Sequence, residues 1–462
     1  MQSENRYNKK DERKIALDIL CRIDTKGRFA DILFDEISER KELTGQSNAF
    51  IRELVYGILR IRGNIDWRIE KLSQRNIKRL SPKVRNILRL GIYQLLFMNN
   101  VPPFAAVNET VNLTIPYGGK RLRNFVNALL RKVAEEQGDI RYQEITSEPS
   151  EYISVKYSHP EWMVKRWIKI FGTDKTISLC KDNNTIPPIT LRTNTILTNR
   201  ERLVNNIKDE VNDLYYCNIS PVGLIIKPDL SIKDITSYKK GWFYVQDEGS
   251  QLVSFILDPQ PGEKILDICA APGGKTTQIA ELMKNQGEII AADINQNRIS
   301  TLRENIKRLK IDIIRICQGD AASSDITGVR NPDIGEKRFD RILVDAPCSG
   351  LGILRRHPEG KWQKKEPIIK RYKDIQYKIL NRAASLLKSG GIIVYSTCTI
   401  EREENEDQIE RFLTEHPEFN IEEVRQFLPL KGEGLIKEGL FLSTINNRWR
   451  MDNIFAARLI KN

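Results

Sequence analysis

A chain of 462 residues, 40% hydrophobic and 29% charged, has the length for two to four domains with substantial cores. Its apolar runs fall short of the ~18 residues of a membrane helix, its polar start MQSENRYNKKDERK lacks the apolar stretch of a signal peptide, and its seven cysteines contain no CxxC pair, which argues against a zinc site or a disulfide framework. The formal charge of +13 favours a polyanion such as nucleic acid or an anionic membrane surface, and a reducing cytoplasm is the expected compartment.

Residues 1 to about 140 read as helices. Ala16, Ile19, Leu20 and Ile23 recur at helical spacing, as do Val84, Ile87 and Leu88, and Phe125, Val126, Leu129, Leu130 and Val133 form a further stripe. Ser81-Pro82 is a helix start, a hydroxyl cap before a proline at the first helical position. No strand pattern interrupts, so a helical bundle is expected over 1–140. Between 51 and 132 stand 16 Lys/Arg against 4 Asp/Glu, a net +12. That imbalance points to a face docking on RNA phosphates, although part of it can be ordinary solvated helix exterior.

Residues 138–152 are polar and read as a linker. Up to about 240, helical WMVKRWIKIF and NRERLVNNIK alternate with strand-like PITLRTNT and GLIIKP, which predicts a small α+β module within 141–240. Trp162 and Trp167 are expected in packing. From 241 to 462 the candidate strands KILDICA, GEIIAADI, IIRICQGD, FDRILVDA, GIIVYSTC and NIFAARLI are separated by amphipathic segments, which predicts a mostly parallel α/β sheet covered on both faces.

After the first of these strands comes DICAAPGGKTTQIAEL. A glycine-rich turn entering a helix lets backbone N–H groups approach a ligand closely. It is not a P-loop, because Cys269 stands where the first glycine would be, and the dinucleotide pattern GxGxxG is absent. Asp293 ends the second strand, where a carboxylate can accept from ribose hydroxyls. Asp320 closes the third strand and Asp345 the fourth. Each acid alone is an ordinary turn residue, but several strand ends carrying polar groups beside one crevice suit a nucleoside without a phosphate requirement. S-adenosylmethionine is such a ligand.

Cys348, in VDAPCSG, and Cys398, in YSTCTI, follow the ends of the fourth and fifth strands. Cys21, Cys180, Cys217, Cys269 and Cys317 read as small buried hydrophobes. Two thiols at one crevice beside a methyl donor suggest alkylation of pyrimidine C5, a poor nucleophile until a thiolate adds at C6. A base then takes the C5 proton and the thiol leaves. Asp345 could meet the N3–N4 edge of the base. The attacking thiol needs a nearby cation or helix N-terminus to ionise; Arg355, Arg356, Lys361 and the helix after EREEN are in range by sequence. Which cysteine attacks stays open on these grounds. His357 reads as a residue holding its loop, and the acidic run EREENEDQIE as the first turns of a helix.

CAAPGGKTTQIA, VDAPCSGLGILRRHPEGKW and VYSTCTIEREENE, with FYVQDEGSQLV and KYSHPEWMVKRW upstream, resemble the RsmB (Fmu/Sun) family of 16S rRNA cytosine-C5 methyltransferases, within the broader NOL1/NOP2/Sun RNA methyltransferases. FIRELVYGILR and LRLGIYQLLFM are similar to the NusB-type bundle of that family. The resemblance spans nearly the whole chain. It implies a multidomain protein: an all-α NusB-like bundle over 1–140, a small α+β domain over 141–240 and a Rossmann-like methyltransferase domain over 241–462. It implies Cys398 as the nucleophile, Cys348 in later steps such as product release, and Asp345 at the cytosine; DNA enzymes of this chemistry use the PC cysteine instead. The cofactor residues it implies are Cys269, Ala270, Ala271, Pro272, Gly273, Gly274 and Lys275, with Asp293, Arg298, Asp320 and Asp345. One departure is visible: Ser47-Asn48 stands where the family often has Asp-Arg. The expected partner is unassembled or partly assembled 16S rRNA, with no membrane and no metal, and the protein acts as a monomer. The same chemistry on tRNA, or a non-catalytic RNA-binding or assembly factor, are the rival readings.

Overall fold

The computed structural model describes residues 12–40, 45–135, 148–228, 231–322, 339–429, 434–445 and 450–462. The polar start and most of the 138–152 linker lie outside them. The chain forms two compact units, one from Met1–Ile186 with Leu354–Lys364, the other from Pro187–Ile353 with Lys365–Asn462.

The first unit is all helical: α1 (Glu12–Lys26), α2 (Ala30–Arg40), α3 (Gly45–Ser73), α4 (Pro82–Phe97), α5 (Pro103–Asn112), α6 (Lys120–Glu135), α7 (Pro149–Lys156), α8 (Glu161–Phe171) and α9 (Thr173–Asn183). The stripes read from sequence enter its core: Ile19, Ile23, Ile87, Leu88, Val126 and Leu130 are buried together, with Leu54 and Ile58 of α3 that the reading did not name. Ser81 caps α4 by accepting from the Val84 N–H, with Pro82 behind it. Trp167 is fully buried.

The positive charge of this unit divides in two. Arg89 is buried and donates to both Asp66 carboxylate oxygens at 2.6 and 2.7 Å and to Asp24 at 2.7 Å, while Arg62 donates to Asp24 at 2.8 Å. Burial would raise the Asp24 pKa, but Arg62 and Arg89 hold it below the usual carboxylate range. Arg68, also buried, donates to Asn64 at 2.9 Å. These cations serve the interior. Lys71, Arg75, Lys78, Arg79, Lys83, Lys120, Arg121, Arg123, Arg131 and Lys132 remain exposed.

Helix α3 bends at Ile61, whose φ of −111° and ψ of 17° are not helical. The cause is a side chain inserted into the hydrogen-bond ladder. The Gly63 N–H, which in a regular helix would donate to the Leu59 carbonyl, donates to Ser158 Oγ at 2.7 Å. The released carbonyls are taken by the segment Leu354–Lys364, whose one-turn helix is Gly360–Gln363. Trp362 Nε1 donates to the Leu59 carbonyl at 2.9 Å. Lys361 Nζ donates to the Arg60 carbonyl at 2.6 Å, the Ser158 carbonyl at 3.0 Å and Asn184 Oδ1 at 2.8 Å. Lys361 is fully buried, and burial pushes its pKa down to about 7. It is engaged inside this unit, so the sequence-based suggestion that it ionises a catalytic thiol is not what the structure shows. His357 also belongs to this unit, with Nδ1 3.8 Å from Glu359 Oε1 and its ring edge-on to Phe29.

Lys361→Met would leave three oxygens, one buried and two half-buried, without this donor, a loss of about 3 kcal/mol in urea unfolding. The pH dependence has a definite sign. The unfolded lysine keeps its proton to about pH 10.4, whereas the folded one releases it near 7. Stability therefore rises as pH goes from about 7 toward 10, because the unfolded state binds more protons there. That slope should shrink in Lys361→Met.

The second unit holds two sheets. The smaller, antiparallel one contains β1 (Ile189–Thr193), β2 (Val211–Tyr216), β3 (Gly223–Pro228) and β4 (Phe243–Val245) in the order β2-β3-β1-β4. One face, with Leu191, Leu224, Ile226 and Phe243, packs on Leu203 and Ile207 of α10 (Arg200–Ile207). β2 was not anticipated, since VNDLYY alternates poorly.

The larger sheet contains the six strands read over 241–462 and three short ones that the reading lacks. Its parallel part is β5 (Lys264–Asp267), β6 (Glu288–Asp293), β7 (Ile314–Gln318), β8 (Phe339–Asp345) and β9 (Leu387–Thr397), in spatial order β7-β6-β5-β8-β9. β10 (Phe419–Glu422), β11 (Ile436–Lys437), β12 (Phe441–Ser443) and β13 (Phe455–Lys461) extend it antiparallel, with β13 against β9. After α11 (Thr236–Lys239), the helices of this part are α12 (Glu248–Leu257), α13 (Gly274–Leu282), α14 (Gln296–Leu309), α16 (Pro367–Leu386) and α17 (Glu406–Glu415), the Gly360–Gln363 turn counting as α15. Strand order reverses at β5, between β6 and β8. In open α/β sheets that reversal opens a crevice at the carboxyl ends of the strands, where ligands bind.

Candidate active site

The sequence-derived residues gather at those strand ends. β8 and β9 are parallel neighbours, with Asp345 opposite Ser396. β8 runs on through Ala346 and Pro347 to Cys348, Cys398 directly follows β9, and the two Sγ atoms lie 3.2 Å apart. The Cys398 N–H donates to Cys348 Sγ at 3.4 Å. The approach depends on Gly352, whose N–H donates to the Cys398 carbonyl at 3.0 Å. A Cβ there would lie 2.8 Å from that oxygen, so only glycine lets the two loops close.

Beside the thiols stands an ion pair. Asp345 Oδ2 accepts from Lys275 Nζ at 2.6 Å, and Oδ1 accepts from Ser396 Oγ at 2.8 Å. Burial would lower the Lys275 pKa, but Asp345 first, and Cys398 behind it, hold it above the usual lysine range. The cation next to the nucleophile candidate is therefore Lys275, from the glycine-rich turn after β5. Cys348 differs. Its hydrogen bond with Cys398, its burial and the charges of Cys398 and Glu404 together raise its pKa well above the usual thiol range.

The turn Cys269–Lys275 joins β5 to α13. Gly273 has φ +104°, a left-handed conformation that a side chain would strain. Asp293, buried at the tip of β6, accepts the Ala271 N–H at 3.1 Å on Oδ2 and the Asn295 N–H at 2.8 Å on Oδ1. Arg298 donates to the Ala271 carbonyl and lies 3.8 Å from Asp293. Asp320, exposed past β7, accepts the Ala322 N–H at 2.9 Å. Cys269 is half-buried in the turn, and desolvation together with the charges of Asp267, Asp345 and Asp293 raises its pKa well above the usual range, so it is no nucleophile.

Three supporting residues escaped the sequence reading. Asp267, at the end of β5, accepts from Thr276 Oγ1 at 2.6 Å and thereby ties the strand to α13; burial pushes its pKa up to about 7. Arg192, in β1, is fully buried and donates to Glu281 at 2.8 and 3.0 Å, to Thr277 Oγ1 at 2.9 Å, and to Gln246 and the Gly274 carbonyl. It clamps the helix that leaves the glycine-rich turn. Glu404, read as a first-turn helix acid, is instead buried beneath the cysteine loops. The strand-end spacing signalled Asp267. Nothing local signalled the other two.

A sheet of this order, with a glycine-rich turn after β5, acids at the tips of β6 and β8, and two touching thiols, decides between folds that share only the layers. The 16S rRNA methyltransferase RsmB/F family model matches residues 254–460, the NusB family residues 10–135, and the RsmF/B-like ferredoxin-like domain residues 159–233. A relative from Synechocystis, a probable ribosomal RNA small subunit methyltransferase B, is 36% identical over 97% of this chain and 99% of its own. The chain belongs to the RsmB family. A Bacillus subtilis relative of the same description is 33% identical over 92% of this chain and 94% of its own. The solved structure of PH0851 superposes with a TM-score of 0.80 at 28% identity, covering 99% of this chain and all of that one.

As an RsmB-family protein it combines a NusB-like bundle, a small ferredoxin-like domain and a Rossmann-like catalytic domain. It is an rRNA cytosine methyltransferase that uses S-adenosylmethionine. The donor set fits that cofactor: carboxylates follow β6 and β7, and the turn after β5 presents backbone where Gly273 carries no side chain.

Proposed function

We propose that this protein methylates C5 of one cytosine in 16S rRNA through a covalent bond between Cys398 and C6. The observation that carries this reading is the 3.2 Å thiol pair beside the Lys275–Asp345 ion pair. Lys275 favours the Cys398 thiolate by charge. The thiolate adds to C6, and Asp345, oriented by Lys275 and Ser396, meets the N3–N4 edge of the base. Bound S-adenosylmethionine supplies an electrophilic methyl group to C5. The residues of the turn Cys269–Lys275, with Asp293, Arg298 and Asp320, hold the cofactor. Cys348 assists the last step, in which the C5 proton is removed and the Cys398–C6 bond breaks.

The target base must be unpaired or flipped out to reach the thiol. The exposed cations of the helical unit would hold phosphates without reading sequence. The reading includes action as a monomer, in the cytoplasm, on unassembled or partly assembled RNA. Bisulfite sequencing of rRNA and tRNA from a deletion strain tests it. One 16S cytosine should lose its protection and regain it on complementation. Loss confined to tRNA, or no change in any RNA, would overturn it.

A further inference from the structure

The two cysteine loops meet over one buried carboxylate. Glu404 ends the short helical turn Arg402–Glu404 that follows the second loop. Its Oε2 accepts the Ser349 N–H at 2.8 Å and Gln376 Nε2 at 2.9 Å, and its Oε1 accepts Thr399 Oγ1 at 3.3 Å. Ser349 follows Cys348 and Thr399 follows Cys398, and the two hydroxyls are themselves 2.8 Å apart. Gln376 also donates to the Pro347 carbonyl at 3.0 Å, on the other side of Cys348. Tyr395 donates to the Glu404 carbonyl at 2.7 Å and fixes the turn from below.

We propose that Glu404 is the positioning residue that assigns different roles to the two thiols: it locks the residue after each cysteine and confines thiolate charge to Cys398. This rests on the reaction proposed above. The surroundings are asymmetric in the required sense. Cys398 faces the Lys275 ammonium. The Glu404 carboxylate is held at the residue after Cys348 and its charge raises the Cys348 pKa; the Tyr395 phenol lies near the same thiol, and the Tyr372 phenol near both thiols. Burial raises the Glu404 pKa, opposed by the hydrogen bonds from Ser349 and Gln376, while Glu401 adds to the rise. A buried carboxylate with three donors on two oxygens is an expensive feature for a protein to keep if it only filled space.

The test is Glu404→Gln in the full chain, read in two ways. Peptide-resolved alkylation by iodoacetamide between pH 6 and 10, without RNA, reports each thiol separately. Methylation of 16S rRNA fragments reports kcat and KM. The expected result is Cys348 alkylation at least about ten-fold faster at pH 8, which one pKa unit provides, with Cys217 and Cys317 unchanged. The value of kcat should fall by about ten- to a hundred-fold, with KM for S-adenosylmethionine unaltered. Unchanged Cys348 alkylation and unchanged kcat would overturn the proposal, as would equal acceleration of Cys217 and Cys317, which marks mere loosening of the fold. Should Glu404→Gln not fold, Thr399→Val keeps the carboxylate and cuts its link to the Cys398 loop. A lower kcat there, with Cys348 alkylation unchanged, supports the proposal, and an unchanged kcat overturns it. If the wild-type chain methylates no cytosine, the reaction fails as a reading while the alkylation contrast still tests the electrostatic role of Glu404.

Discussion

Cys398→Ala should abolish methyl transfer, by about 10⁴-fold or more, because the thiol that remains, Cys348, sits beside a carboxylate rather than a cation. Cys348→Ala should behave differently: it leaves the attacking thiol and the Lys275–Asp345 pair in place and removes only the neighbour 3.2 Å away. Attack and methylation then proceed while release is slowed. A protein–RNA adduct should accumulate, visible as a slow band on a denaturing gel that is sensitive to ribonuclease and needs Cys398. In the double variant no adduct should form. An adduct in Cys398→Ala, or Cys348→Ala turning over as wild type, would contradict this division of labour.

The second large effect is expected at Arg192. Arg192→Leu strands Glu281 in the interior, and breaking a buried pair by removing one partner costs about 3–5 kcal/mol. Burial already raises the Glu281 pKa and Arg192 opposes it. Removing Glu281 as well should recover most of that stability in Arg192→Leu/Glu281→Leu, since no charge is left buried. Affinity for S-adenosylmethionine should not recover, because the links from Arg192 to the Gly274 carbonyl and to Thr277 are lost in both variants. Urea unfolding and calorimetric titration separate the two. Full recovery of affinity in the double variant would reduce Arg192 to a structural ion pair.

The catalytic sheet was legible in the sequence because apolar strands alternate with amphipathic helices, and the parallel strands end on or just before polar residues at the edge where a crevice opens. The thiol pair was legible for the same reason: Cys348 and Cys398 are 50 residues apart yet both sit just past a strand end. What could not be read is whatever depends on distant pairing. Arg192 looks like an ordinary strand cation until Glu281 is set against it. Glu404 sits in an acidic run in which Glu401 and Glu406 are buried as well while Glu403, Asp407 and Glu410 are half-buried or exposed, a division that only the fold makes. The +12 segment reads as an RNA-docking face or a solvated helix exterior, but Arg62, Arg68 and Arg89 turn inward to partners that helical periodicity does not reveal.

The bend in α3 carries a consequence for how such a chain can be cut or recombined. Leu59 and Arg60 surrender their carbonyls to Trp362 and Lys361, residues encoded shortly after Cys348. The helical unit is thus completed by a stretch borrowed from within the catalytic sequence. A gene fragment ending before that stretch would encode a bundle with an unfilled notch, and one beginning after the bundle would carry a tryptophan and an amine with nowhere to go. Inheritance of the two as a single reading frame is what this arrangement favours.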